Sequence, residues 1–88
     1  MKEPKEQIRL FLESTIKELV DMPELASVRI NQGERTTVFL IRTARLDVGK
    51  IIGRQGRIAD AIRLLLNSIA MKYGIRCIME IGENATQS

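Results

Sequence analysis

The run RTTVFLIRT, residues 35–43, is apolar on both of its alternating faces, and this limits what an 88-residue chain can build around it. A strand with no polar face belongs at the centre of a sheet, so the rest of the chain must supply neighbours for both of its edges. Two stretches qualify. ASVRIN at 26–31 alternates, with Val28 and Ile30 on one face and Ser27 and Arg29 on the other. The turn-forming NQGE at 31–34 joins it to the central run as a hairpin. IRCIMEI at 75–81 is the second, with Cys77, Met79 and Ile81 inward.

Helical periodicity fills the remainder. Ile8, Phe11, Leu12, Ile16, Leu19 and Val20 make one stripe over residues 5–20, with Pro4 suited to the first turn and Asp21-Met22-Pro23 ending the helix. Asp47 is placed to cap a short helix, Val48 to Ile52, which Gly53 terminates. After Gly56 a longer helix runs to about Lys72 on a stripe of Ile58, Ala61, Ile62, Leu65, Leu66, Ile69 and Tyr73, and Gly74 stops it. The order helix–strand–strand–helix–helix–strand predicts an α+β fold. Strands one and two form an antiparallel hairpin, strands two and three lie parallel through a right-handed crossover, and all helices cover one face of the three-stranded mixed sheet. The reading is a single domain over 1–88, with a core of about 5–81 and a frayed polar tail over 82–88.

Composition removes several function classes. The chain has no histidine, so the commonest general base and metal ligand is missing, and its one cysteine excludes an internal disulfide. No metal-ligand cluster and no nucleophile beside a base is visible, which argues against an enzyme and calls for no metal or cofactor. No apolar run is long enough to span a membrane, and the N-terminus MKEPKEQIR has neither signal- nor transit-peptide character, so a cytoplasmic protein is expected. The net charge of +3 is unevenly spread: Arg42, Arg45, Lys50, Arg54 and Arg57 stand against Asp47 alone over residues 42–57.

That basic segment surrounds GKIIGRQGR, residues 49–57, with three glycines in nine positions. A nucleotide-binding P-loop needs a lysine–hydroxyl pair after its last glycine, and a dinucleotide fingerprint needs a tight first glycine pair; neither is present. What remains is I-G-x-x-G between two helices. Gly49 reads as easing close helix packing, Cys77 as a small buried hydrophobe, and Asp60 as a charge on a helix surface.

On these residues the chain resembles a KH domain, and the element order is that of the bacterial, type II form. The run TTVFLIRTARLDVGKIIGRQGRIADAIRLLL is similar to the small single-domain bacterial KhpA family, a likeness that covers nearly the whole chain. The resemblance implies a single-stranded RNA-binding protein whose GXXG loop, here Gly53-Arg54-Gln55-Gly56, clamps about four nucleotides. Arg54, Arg57 and Lys50 would then meet phosphates at the positive end of the long helix, while Val48, Ile51, Ile52, Ile58 and Ala59 would supply core contacts and an apolar groove wall. It further implies an RNA chaperone or post-transcriptional regulator that self-associates and pairs with a larger KH-domain protein. Two alternatives stay open: an interaction adaptor within a KH-protein complex, and a single-stranded DNA binder.

A mismatch in the long helix bears on self-association. Leu64 and Met71 lie off its core stripe, among Asp60, Arg63 and Asn67, two turns apart on one otherwise polar face. Such a face suits a two-fold homodimer, with Asp60 and Arg63 available for cross-pairs. The open face of the sheet, where Val38, Leu40 and Ile78 should point, is the rival surface.

Overall fold

A computed structural model describes residues 3–84. Helix α1 spans Pro4–Leu19, the hairpin strands β1 and β2 span Ser27–Gln32 and Thr37–Thr43, α2 spans Val48–Ile52, α3 spans Arg57–Tyr73, and β3 spans Cys77–Glu83. Single 3₁₀ turns at Pro23–Leu25, Arg45–Asp47 and Arg54–Gly56 join them. The sheet order is β1-β2-β3, antiparallel then parallel, with Ile30 opposite Phe39 and Phe39 opposite Met79. This is the type II KH order. The central strand alternates as a one-sided sheet requires: Thr37, Phe39, Ile41 and Thr43 are buried under the helices, while Val38, Leu40 and Arg42 are half-buried on the open face.

The core joins Ile8, Leu12 and Ile16 of α1 to Val28, Phe39, Ile41, Ile51, Ile62 and Leu66. It is aliphatic apart from Phe39, in keeping with 3% aromatic residues. Both outer strands of the sheet are edges, and α1 closes one of them. The Val28 amide donates to Glu13 Oε2 at 3.3 Å, and Arg9 Nη1 donates to the Val28 carbonyl at 3.2 Å. Glu6 and Glu13 hold Arg9 in place at 2.7 and 3.3 Å; the hydrogen bonding that Arg9 donates to the Glu6 carboxylate leads the causes that raise the guanidinium's pKa further. With these groups satisfied, the β1 edge is a poor template for another strand.

Four local expectations are corrected. Asp47 makes no side-chain cap on α2. Its buried carboxylate instead accepts hydrogen bonds from the amides of Asp21 (3.2 Å) and Met22 (3.0 Å), pinning the chain as it leaves α1. The buried stripe of α3 is Ala59, Ile62, Leu66 and Ala70, rotated from the expected one, so Ala61, Leu65 and Tyr73 are exposed. The Tyr73 hydroxyl reaches Gln7 Oε1 of α1 at 3.2 Å. Gly82 and Glu83, expected in a polar tail, extend β3 opposite Arg42 and Thr43, and the Asn84 amide adds a 2.7 Å bond to the Thr43 carbonyl. The rest of the expected tail, 85–88, lies outside the described residues. Finally, a Cβ added to Gly49 would meet nothing within 4 Å, so this glycine does not serve helix packing.

Candidate nucleic-acid interface

Strand β2 delivers the chain to α2 through the 3₁₀ turn at Arg45–Asp47, and α2 seats Ile51 in the core against α3 and β3. Five residues later the helix must stop, and Gly53 stops it. Its amide donates to the Gly49 carbonyl at 2.8 Å while its backbone turns to φ 77°, ψ 174°, a region open only to glycine. The Gly56 amide then bonds to the Gly53 carbonyl at 3.1 Å, and Gln55 and Gly56 both take left-handed conformations before α3 begins. Gln55, at φ 57°, is the one described non-glycine residue with a positive φ. A strained polar residue at a loop tip is a conformation retained at functional sites.

The two loop glycines do different work. A Cβ on Gly53 would lie 2.6 Å from Ile58 Cγ1, so the missing side chain makes room for Ile58. A Cβ on Gly56 would meet nothing, and the space in front of it is open. Arg54, Gln55 and Arg57 are exposed around that opening, and neither arginine forms an ion pair. Helix α3 starts there without a side-chain cap, so its first-turn amides and dipole present positive potential at the same point.

The other expected residues divide. Ile52 is 41% exposed and Ile58 half-buried, which leaves apolar surface on both sides of the loop, whereas Ala59 turns into the core and offers no groove wall. Lys50 points the other way. Its Nζ sits 3.2 Å from Asp21 Oδ2 and 3.9 Å from Asp47 Oδ1, engaged by two carboxylates rather than free for a phosphate. On α3, Leu64 and Met71 are 68% and 77% exposed, and Asn67 is exposed between them. Asp60 and Arg63 pair with each other along the helix at 3.0 Å. Burial raises the Cys77 thiol above its ordinary range. Among the described residues no cluster of three or more histidine, cysteine, aspartate or glutamate side chains could hold a metal.

Sequence reasoning found β3 but did not name its free edge as part of the site. As an edge strand beside α2, the helix that leads into the loop, it has backbone donors and acceptors on its outer side that pair with no other strand among the described residues. The signal lay in the strand order, which follows from the parallel crossover.

The family model for the KH domain of KhpA and KhpB matches residues 9–81. The chain belongs to the KhpA/KhpB KH-domain family. It is similar to the RNA-binding protein KhpA of Borreliella burgdorferi, with 44% identity over 92% of this chain and 98% of that protein. The RNA-binding protein KhpA of Aquifex aeolicus is also 44% identical, over 83% of this chain and 92% of the other. That of Clostridium acetobutylicum is 39% identical, over 84% and 99%. The KhpA/KhpB match includes every residue of the Gly53–Gly56 loop.

Proposed function

We propose that this protein binds single-stranded RNA, with the sugar–phosphate backbone lying over the Gly53–Gly56 loop and the bases against Ile52, Ile58 and the β3 edge. The observation that carries the reading is the loop itself. Open space before Gly56, an uncapped helix start and the unpaired Arg54 and Arg57 converge on one spot. That combination accepts a phosphate chain and holds no group able to cut it. Similarity to proteins named for RNA binding supports the same conclusion. The protein acts in the cytoplasm as an RNA chaperone or post-transcriptional regulator, as one KH domain that self-associates through the Leu64–Met71 face of α3 and pairs with a larger KH-domain protein.

A fluorescence-anisotropy titration tests the RNA assignment. Single-stranded RNA binds more tightly than duplex, because the bases of a duplex are stacked away from a KH groove. On a strand that covers the loop alone, with Lys50 engaged by Asp21 and Asp47, Arg54 and Arg57 are the two groups that neutralise phosphates. Log affinity then falls against log salt with a slope of about −1.4, at roughly 0.7 per single-strand phosphate. Salt-independent or duplex-preferring binding contradicts the reading.

A further inference from the structure

At the end of α3 far from the loop, an open depression lies beside the start of β3, lined by Asn67, Met71, Gly74, Ile75 and Arg76. Its chemistry is mixed. Met71 and the half-buried Ile75 give it an apolar wall. Among the described residues, the Asn67 amide and the Arg76 guanidinium form no hydrogen bond or ion pair. An apolar wall suits the face of a base, a free amide can both donate to and accept from a base edge, and a guanidinium suits a phosphate.

The depression is also in line with the loop. Strand β3 pairs in parallel with β2, so its last residue, Glu83, lies opposite Thr43 at the end from which the chain enters α2, while its first residue, Cys77, lines the depression. The free edge of β3 therefore runs from the α2 end of the fold to the depression. Along α3, at 1.5 Å per residue, the depression begins at Asn67, roughly 15 Å from the helix start at Arg57, and ends near Gly74, roughly 25 Å from it. More positive charge waits at the far end. The Thr37 amide donates to the Arg76 carbonyl at 2.9 Å, which ties Arg76 to the start of β2, and Arg35 stands two residues before Thr37, exposed and unpaired.

We infer that an RNA strand seated on the Gly53–Gly56 loop continues along the β3 edge into this depression, where Asn67 meets a base and Arg76 a phosphate, extending the footprint beyond the four nucleotides of the loop clamp. The inference rests on the RNA-binding reading above.

The test compares an oligouridine tetramer with an octamer on the wild-type chain, on Asn67→Ala, Arg76→Ala and on Arg54→Asp, Gln55→Asp. Wild type binds the octamer more tightly than its extra registers alone allow. The double variant Asn67→Ala, Arg76→Ala loses about tenfold on the octamer and nothing on the tetramer, and its octamer salt slope is shallower by about 0.7. Equal loss on both lengths, or loss on neither, overturns the extended footprint while leaving the loop assignment in place. Retained binding of both lengths by Arg54→Asp, Gln55→Asp defeats the RNA-binding reading itself. Asn67 and Met71 are both shared with the self-association face, so sedimentation accompanies the titrations. A changed assembly state with unchanged octamer affinity assigns the depression to a protein contact and overturns the inference. Both side chains lie at the surface, and Arg76→Glu gives a second, stronger perturbation of the same octamer-specific term.

Discussion

Gly53 and Gly56 sit three residues apart with nearly the same φ, yet substitution separates them. Alanine at Gly53 forces a side chain into a backbone region reserved for glycine and against Ile58, 2.6 Å from the new Cβ. Alanine at Gly56 enters a left-handed conformation that non-glycine residues tolerate, with nothing in front of it. Gly53→Ala is expected to cost about 3 kcal/mol and Gly56→Ala about 1 kcal/mol, read by urea denaturation. RNA affinity shows the reverse emphasis, since it is the methyl added by Gly56→Ala that occupies open space before the loop. Equal stability losses would contradict the assignment of Gly53 to packing. The sequence marked both glycines as a loop but could not divide their roles, because the atom that fills the space beside Gly53 comes from a residue in the next helix. Ala59 was expected to serve both core and groove wall, and its place is in the core: small and apolar, it fits a groove or a tight helix contact equally well on paper.

The elements themselves were legible where periodicity was strong. Helix α2 and the pairing of the three strands follow from the sequence, as does the face of α1 carrying Ile8, Leu12 and Ile16. The phase of α3 was not. Large residues dominate any hydropathy reading and drew the stripe toward Leu65, whereas Ala59 and Ala70 let the helix lie close to the sheet and set the real phase. Asp47 went astray through proximity in sequence: it precedes α2, yet its partners lie about 26 residues earlier, at Asp21 and Met22. Asp47→Ala leaves two backbone amides without their acceptor in a part-buried site and is expected to cost about 2 kcal/mol. Lys50→Ala removes an exposed ion pair with Asp21 and a long 3.9 Å one with Asp47, whose carboxylate keeps both amide donors, and costs less than about 1 kcal/mol. Denaturant titration of both variants checks the ranking, and a larger loss for Lys50→Ala would contradict it.

At the scale of the molecule, the type II KH order could be read from the chain, because an apolar central strand with one hairpin neighbour and one reached through helices leaves few arrangements. That β3 is an edge strand follows from the same order; that α2 packs beside it is seen in the structure. Assembly is a separate question. Leu64 and Met71 project from α3, and the open sheet face offers Val38, Leu40 and the exposed Ile78, crossed by the 2.6 Å Arg42–Glu80 pair. Sedimentation of Leu64→Glu, Met71→Glu is expected to give a monomer where wild type gives a dimer; a mutant that stays dimeric moves the interface to the sheet. The central claim is that the Gly53–Gly56 loop carries RNA, and the variant Arg54→Asp, Gln55→Asp tests it most directly. Both side chains are exposed, and aspartate tolerates the left-handed conformation at position 55, so circular dichroism and thermal melting should match wild type. Anisotropy with single-stranded RNA is then expected to show affinity falling by at least about a hundredfold, as reversed charge repels the backbone from the loop. A folded double mutant that binds RNA as wild type does would contradict the assignment.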